Sequence, residues 1–426
     1  MEKLQKPKFS PKNQNINEGL NPLYTTLGIM WIFLGRSFPS LKIKKTLKII
    51  KKGLQLFEDQ LKYDLELPDC LSYQALINEK YLKKKHWIYA DYMATISSLP
   101  LLYNIQEENI IQEAIIAKTA IGTSTKLLDN INDSIQTTDE AISSLKEFEK
   151  SMIDVNYEVP RIYSIPTNMN RGVNSSYVIA NWVPKILVRS NAPKMQNIYE
   201  KDVKKLINGQ IDSLQHKGLR DSKEITIDTF LTSISEKSIG DVWVDIDLCF
   251  MEDGLGKLDN NIFKNLTELK KGYSWIFKSS LIYDDVQDIY TDIKENAVNS
   301  ALLLGLKKEV ITYENINQHE PDNIIKKLNE SNTLNDTISL ADMLFIKGIR
   351  HIEKISETNT DIIDWKALLL SFRFVRLFNL RKILIRNKNT ETFKLFLASI
   401  QDLNKIEEKI PDHILNLNKC IEPIII

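Results

Sequence analysis

Apolar residues recur three and four positions apart along most of this chain, the spacing of one buried helix face. Leu47, Ile50, Leu54, Leu56, Phe57 and Leu61, with lysines between them, predict an amphipathic helix over Leu41 to Leu61. Its lysine face reads as solvated surface, with peripheral contact to a membrane surface as the alternative. The Pro68-Asp69-Cys70 turn interrupts the pattern, and Lys80 to Leu102 resumes it with Trp87, Tyr89 and Tyr92. From Glu107 to Asn130 apolar side chains fall on most sides, Ile110, Ile111, Ala114, Ile115, Leu127 and Leu128 among them, which predicts a long buried helix. Thr138-Asp139-Glu140 reads as a fresh helix start, with Thr138 or Asp139 as the N-cap.

The stretch from Pro160 to Pro193 is the least regular, holding Pro166, Gly172 and Pro184 as well. A linker stays open there, although Trp182, Val183 and Ile186 predict that it packs. Helical spacing returns over Phe230 to Phe250, Glu252 to Asn261 reads as a glycine-containing loop, and Trp275 to Ile282 as part of another buried helix. Helical patterns then continue to about Lys409. No period of roughly 20 to 50 residues repeats, which argues against a solenoid.

Composition narrows this picture. The chain has 426 residues, 43% of them hydrophobic, with only 14 Gly and 13 Pro. Length alone allows about three domains, but so few helix breakers predict an all-α protein in which one bundle absorbs most of the chain. Residues 1–19, rich in Lys, Asn, Pro and Gln, read as a mobile tail, leaving 20–426 as a single all-α domain. Lys plus Arg and Asp plus Glu number 56 each, so no global basic field invites nucleic acid. Cys70, Cys249 and Cys420 are far apart and odd in number, which fits neither a disulfide framework nor a thiolate zinc site. His86, His216, His319, His351 and His413 are scattered, so any metal would be a hard ion on carboxylates. The lysine-rich start lacks the apolar core of a signal peptide, and the run Leu27 to Leu34 is too short to span a bilayer. The expectation is a soluble, cytoplasmic protein. A glycine-rich phosphate loop, a serine elbow and a zinc signature are all missing from the sequence.

The chemistry concentrates in Tyr283-Asp284-Asp285-Val286-Gln287-Asp288-Ile289-Tyr290-Thr291-Asp292. Residues four apart on a helix lie on one face, so Asp284, Asp288 and Asp292 form a carboxylate ladder with Asp285 beside it. Like charges at that spacing weaken a helix by a few tenths of a kcal/mol per pair, roughly. A hard divalent cation reverses the sign, since Mg²⁺ takes oxygen ligands from carboxylates, water and substrate phosphates. Asp129 and Asp133 form a second i, i+4 pair, again at the C-terminal end of an apolar helix. If both helices belong to one bundle, their acidic ends can share its mouth. Five carboxylates are too many for one octahedral ion, and several Mg²⁺ ions bridged by a diphosphate would neutralise them.

These two stretches carry a family resemblance. Leu127-Leu128-Asp129-Asn130-Ile131-Asn132-Asp133-Ser134 resembles the first aspartate-rich motif of class I terpene synthases, with Asn130 where a second aspartate is commoner. Asp284 to Asp292 resembles their second motif, whose oxygen ligands stand at positions one, five and nine. The usual Asn, Ser or Thr, and Glu are here Asp284, Asp288 and Asp292, closer to the acidic version of squalene and phytoene synthases. The wording around Leu128 and over Thr137 to Met152 is most similar to bacterial large terpene synthases of the tetraprenyl-β-curcumene synthase type. The likeness covers roughly Leu102 to Asn387.

The resemblance implies an antiparallel all-α bundle of the isoprenoid synthase type enclosing an apolar cavity. Three Mg²⁺ ions and basic side chains at its mouth would bind the substrate's diphosphate. Ionisation would expel diphosphate and leave an allylic carbocation, with Tyr273, Trp275, Phe277 and Tyr283 as candidate aromatic walls or plain core. Lys237 stands where the family places a diphosphate-sensing arginine, and Gly240 at the family's helix break. Arg373-Phe374 stands where many members end with an Arg-Tyr pair, while Arg376, Arg381 and Lys382 read as surface.

Two rival readings accompany this one. A prenyltransferase of the same superfamily, chain-elongating or head-to-head, would join two isoprenoid diphosphates. Elongating members grip the second substrate with an arginine pair soon after the first motif, whereas Ser134-Ile135-Gln136-Thr137-Thr138 offers no basic residue. A non-enzymatic helical scaffold is the other rival.

Overall fold

The computed structural model describes residues 37–132, 137–161, 167–216, 225–317, 320–357, 362–380 and 402–417. The expected tail, Asp133, His319, Arg381, Lys382 and Cys420 lie outside them. Among the described residues all regular structure is helical. Helices α1 (Ile43–Asp64) and α2 (Tyr73–Asn78) lead into α3 (Lys84–Leu102), α4 (Glu108–Asn132) and α5 (Thr138–Ile153). Next come α6 (Asn168–Ala180), α7 (Trp182–Leu187), α8 (Pro193–Gln215), α9 (Ile227–Thr232), a 3₁₀ turn (Ile234–Lys237) and α10 (Gly240–Leu255). The 36-residue α11 (Asn260–Glu295) is followed by α12 (Ser300–Lys307), α13 (Tyr313–Asn317), α14 (Pro321–Glu330), α15 (Thr333–Ser356) and α16 (Trp365–Asn379). Two short helices, α17 (Asn404–Glu407) and α18 (Asp412–Leu415), complete the order. No described helix is long and apolar enough to cross a membrane.

Local chemistry explains where these elements depart from the sequence pattern. The irregular stretch up to Pro193 contains two helices, because Pro184 and Pro193 fall in first turns, where a missing N–H costs little. Thr137, one residue earlier than expected, caps α5 by accepting from the Glu140 amide at 3.3 Å. Asp259 caps α11 by accepting from the Asn261 and Ile262 amides at 2.8 and 2.7 Å, which shortens the expected loop to a few residues. Leu47 and Leu56, expected on the buried stripe of α1, are exposed, and Ile49 and Gly53 are buried instead.

Side-chain contacts fix the helix directions. Lys118 of α4 pairs with Asp247 of α10, and Gly122, one turn further along α4, meets Trp243, one turn earlier in α10. Those two helices are therefore antiparallel. Phe277 of α11 packs on Gly240 while Lys270 reaches Asp245, so α11 is antiparallel to α10 as well. It follows that α4 and α11 run the same way and bring their C-terminal ends out at one end of the bundle. Helix α15 lies antiparallel along α11 through a glycine seam. A Cβ on Gly272 would stand 2.4 Å from Ile352, and one on Gly348 would stand 2.6 Å from the Gly272 carbonyl.

The described interior is mostly apolar but also buries charged groups, Asp91, the Lys270–Asp245 pair and the Lys118–Asp247 pair among them. Lys118 is fully buried and donates to Asp247 at 2.5 Å, to the Ser97 hydroxyl at 2.7 Å and to the Ser98 hydroxyl at 3.0 Å. The Trp243 indole N–H donates to the same Ser97 oxygen at 3.2 Å. Burial pulls the lysine pKa down and pushes the aspartate pKa up, and the pairing opposes both shifts. The cluster clamps α3, α4 and α10 together. Lys118→Met should leave Asp247 buried without its cation and cost about 3–5 kcal/mol in urea unfolding. The double variant Lys118→Met/Asp247→Leu should regain most of that loss. Equal losses in the single and double variants would show that the pair is not the source.

Candidate active site

The end of the bundle where α4 and α11 emerge together carries most of the acidic residues singled out above. Helix α11 is buried through Tyr273, Ile276, Ile282 and Tyr283 before it turns acidic. Its carboxylates then take different roles. Asp285 is buried, its Oδ2 accepting from the Ser300 amide at 2.8 Å and its carbonyl from Asn299 Nδ2 at 2.7 Å. Asn299 Nδ2 also donates to Asp292 Oδ2 at 2.6 Å, while its own Oδ1 accepts from the Ala301 amide and so caps α12. Asp285 and Asn299 thus pin the turn that orients Asp292.

Asp288 and Asp292 are half-buried, whereas Asp284 is exposed. The ladder splits because successive positions four apart drift by about 40° around a helix. Burial pushes Asp285 up to about 6, with Lys237 pulling the other way. Burial first, then the charge of Asp285, pushes Asp292 up to about 7. A carboxylate raised by its carboxylate neighbours is one that a cation would relieve.

Lys237 is brought to this cluster. It closes the 3₁₀ turn, acts electrostatically on both Asp285 and Asp292, and donates to the Ser213 hydroxyl at 3.3 Å. The helical pattern expected over Phe230 to Phe250 is broken at Ser238, whose backbone is extended, with ψ 127°, two residues before the Gly240 at which the resemblance implied a helix break. Helix α10 restarts at Gly240, where an added Cβ would stand 2.3 Å from Phe277. Only a residue without a side chain fits between α10 and α11 there.

The first acidic motif is less assembled. Asp129 lies at the same end of the bundle, exposed, and accepts from Lys126 at 2.6 Å. Asn130 donates to the Tyr81 carbonyl at 2.9 Å and so ties the end of α4 to the turn before α3. Among the described residues no three His, Cys, Asp or Glu side chains converge into a ligand set. Mg²⁺ is commonly held by one or two carboxylates, with water and substrate phosphates completing the shell. Asp288 and Asp292 fit that demand.

The arginines of α16 depart from expectation. Arg376, read as surface, is buried: its Nε donates to Asp342 at 2.8 Å and to the Tyr283 hydroxyl at 3.1 Å. Tyr283 in turn donates to Asp342. Burial works against the Arg376 charge, and Asp342 and Tyr283 more than restore it, leaving its pKa above the ordinary value. Arg373 instead reaches Glu353 at 3.9 Å. Glu353 lies eleven residues past Asp342 on α15, about 16 Å further from the acidic end. That position is at odds with a diphosphate role for Arg373. Of the four aromatics, Tyr273 and Phe277 face the interior near Trp243 and Phe372. Trp275 is covered by the Lys347 ammonium at 4.3 Å, and Tyr283 is held in the Asp342 network.

Sequence reasoning missed Asn299, Arg376 and the buried Lys118–Asp247 pair. A signal existed for two of them. Asn299 precedes Ser-Ala-Leu-Leu-Leu, an N-cap pattern, and Lys118 interrupts an apolar run that had no polar side left for it. A groove of about 510 Å³ between α1, α4 and α7, lined by Lys52, Gln112, Trp182 and Arg189, holds none of the sequence-predicted site residues.

No protein-family model and no curated protein matches the chain. Among solved structures, 2-methylisoborneol synthase from Streptomyces coelicolor A3(2), in complex with Mg²⁺ and 2-fluoroneryl diphosphate, aligns at 7% identity with a TM-score of 0.48, covering 76% of this chain and 87% of that one. A second structure of that synthase aligns at 8% identity and TM-score 0.41, covering 75% of this chain and 89% of that one. Geranylgeranyl pyrophosphate synthetase from the archaeon Geoglobus acetivorans aligns at 12% identity and TM-score 0.45, covering 77% and 99%.

The raised Asp292 carboxyl has a measurable consequence in metal-free protein. Between its ordinary value of 3.8 and about 7 the folded state holds a proton that the unfolded state has released. Stability should therefore fall as pH rises through that window. Asp292→Asn should flatten the fall and melt above wild type at pH 8 in EDTA. An unchanged slope would mean that neither burial nor the neighbouring carboxylates raise Asp292.

Proposed function

We propose that this chain is a Mg²⁺-dependent, cytoplasmic class I terpene synthase acting on one prenyl diphosphate and releasing diphosphate with a hydrocarbon or alcohol. One observation carries the reading: two acidic helix ends and Lys237 share one end of an antiparallel bundle whose interior below them is closed and largely apolar. The sequence of both motifs supports it.

In this reading Asp284, Asp288 and Asp292, with Asp129 and, by the sequence motif alone, Asp133, would hold the metal, as three ions by the family resemblance. Bound Mg²⁺ would offset the negative charge that develops on the departing diphosphate. Lys237 adds a point charge for the same group. The bond between the substrate's first carbon and oxygen breaks, and its electron pair leaves with diphosphate. Phe277, half-buried on the turns of α11 before the aspartate run, offers a ring face that favours the positive charge of the allylic cation left behind. Loss of a proton gives a hydrocarbon, and capture of water gives an alcohol. The closed walls around Phe277 and Trp243 delay water until that point.

A second diphosphate would bring further negative charge to an already acidic mouth, and residues 134–138 supply no Arg or Lys to receive it. Product should accordingly form from one allylic diphosphate alone, with diphosphate released in step, as read by mass spectrometry with and without isopentenyl diphosphate. A longer diphosphate formed only with isopentenyl diphosphate would overturn the lyase reading. Two allylic halves joined in one product would favour a head-to-head synthase instead. Asp288→Ala and Asp129→Ala should each lower kcat by about 10²-fold or more, with little loss of stability. Near-normal turnover of both in saturating Mg²⁺ would remove the metal assignment.

A further inference from the structure

We propose that the basic face of α1 and the groove beside it dock this protein on an anionic membrane surface, the groove holding the head of one phospholipid. The proposal is independent of the acidic end. The groove meets α4 only over residues 109–116, thirteen or more positions before Asp129, which is about 20 Å of helix or more.

Charge on α1 is segregated. Residues 42–57 hold six lysines and no acid, in a chain whose overall charge is zero. Lys45 turns back over the Tyr103 ring at 4.7 Å, and Lys48 reaches Glu108 at 3.2 Å. Lys42, Lys44, Lys51 and Lys52 are exposed, and among the described residues no acid pairs with them. The acids of α1 come later, where Glu58 and Asp59 are answered by Lys62 at 3.2 and 3.8 Å.

Apolar side chains accompany that charge. Leu47 and Leu56, 41% and 42% exposed, fall three or four positions from Lys44, Lys51 and Lys52 and so share their outward face. Val188, just past α7, is 56% exposed. Single exposed leucines are ordinary on a protein surface. Alternating with unpaired lysines they match a bilayer interface, which takes ammonium groups at its phosphates and leucines just beneath them.

The groove supplies the specific part. It encloses about 510 Å³, with Lys52 and Leu56 on one rim and Lys185 and Arg189 on the other. Arg189 shares its charge with Glu113 at 3.4 Å, and Asp64, twelve positions past Lys52, accepts from Gln60 at 3.2 Å. Lys52 and Lys185 are left to meet an anion. Gln112 and Trp182 belong to the buried lining, and neither amide atom of Gln112 nor the indole N–H of Trp182 has a hydrogen-bond partner. Buried polar groups without partners are uncommon, since each forfeits its hydration. A phosphate would answer the N–H donors and a head-group hydroxyl the amide oxygen, with Ile116 and Ile186 beside the start of an acyl chain. Phosphatidylglycerol combines those features.

Co-sedimentation with phosphatidylcholine vesicles, plain or with about a third phosphatidylglycerol, tests the docking face. Wild type should partition at least about ten-fold more strongly to the mixed vesicles, and the preference should shrink as salt rises. Lys51→Gln/Lys52→Gln should weaken that partitioning about 25-fold, at roughly five-fold per lysine, without changing the melting temperature. Leu56→Gln should weaken it too, whereas Lys201→Gln/Lys204→Gln, which removes two exposed lysines of α8, should change it little. Monomeric dihexanoyl phosphatidylglycerol, titrated calorimetrically, should saturate one site, and Lys185→Gln on the exposed rim should weaken its binding. No preference for anionic vesicles, or equal losses in the α1 and α8 variants, would overturn the docking face. Saturable binding of glycerol 1-phosphate without any vesicle binding would overturn the membrane in favour of a soluble anion. Vesicle binding with no saturable site for the short-chain lipid would overturn the head-group assignment of the groove.

Discussion

A lysine with no solvent exposure must have its charge answered on the spot, and that constraint organises the centre of this bundle. Lys118 can be buried only where Asp247, Ser97 and Ser98 converge, which means only where α3, α4 and α10 meet in one register. A slip of one residue on α4 would rotate the ammonium by about 100° into apolar neighbours. Apolar packing tolerates small shifts, while a buried ion pair does not. The pair therefore contributes more to the uniqueness of the arrangement than to its net stability, as the desolvation of two ions offsets much of their attraction.

From that register follows the placement of the acidic end. With α4 and α11 both antiparallel to α10, their charged C-terminal segments emerge together, although neither would hold such a cluster alone. The lower turns of α11 supply burial through Tyr273, Ile276 and the Gly272–Gly348 seam, and this packing offsets the repulsion among Asp285, Asp288 and Asp292. Asn299 and the Ser300 amide answer part of that charge within the chain, and Lys237 answers part across it. The remainder is what a hard cation would meet.

Much of this was legible in the residues. The long helix ending at Asp129 and the buried helix ending in the aspartate run follow from apolar spacing and the positions of Asp, whereas the break near Gly240 came from the family resemblance. Lys237 was singled out by the family resemblance, and in the structure its charge opposes the rise of the Asp285 and Asp292 pKa values. What periodicity could not supply was the choice among long flexible side chains. Arg373 and Arg376 differ by three positions on one helix, yet one reaches Glu353 and the other Asp342, because α15 offers acids at two heights. Helical phase also misplaced α1, where Ile49 rather than Leu47 faces inward, and the prolines of α7 and α8, which read as breaks but open helices.

The central claim is that the acidic end and Lys237 together hold a diphosphate through magnesium. Calorimetric titration of the protein with inorganic diphosphate, at increasing Mg²⁺, addresses it without reference to any prenyl chain. Binding should be weak with either component alone and should strengthen reciprocally when both are present. Absence of diphosphate binding at every Mg²⁺ concentration, in protein shown to be folded, would contradict the claim and leave a helical scaffold in its place.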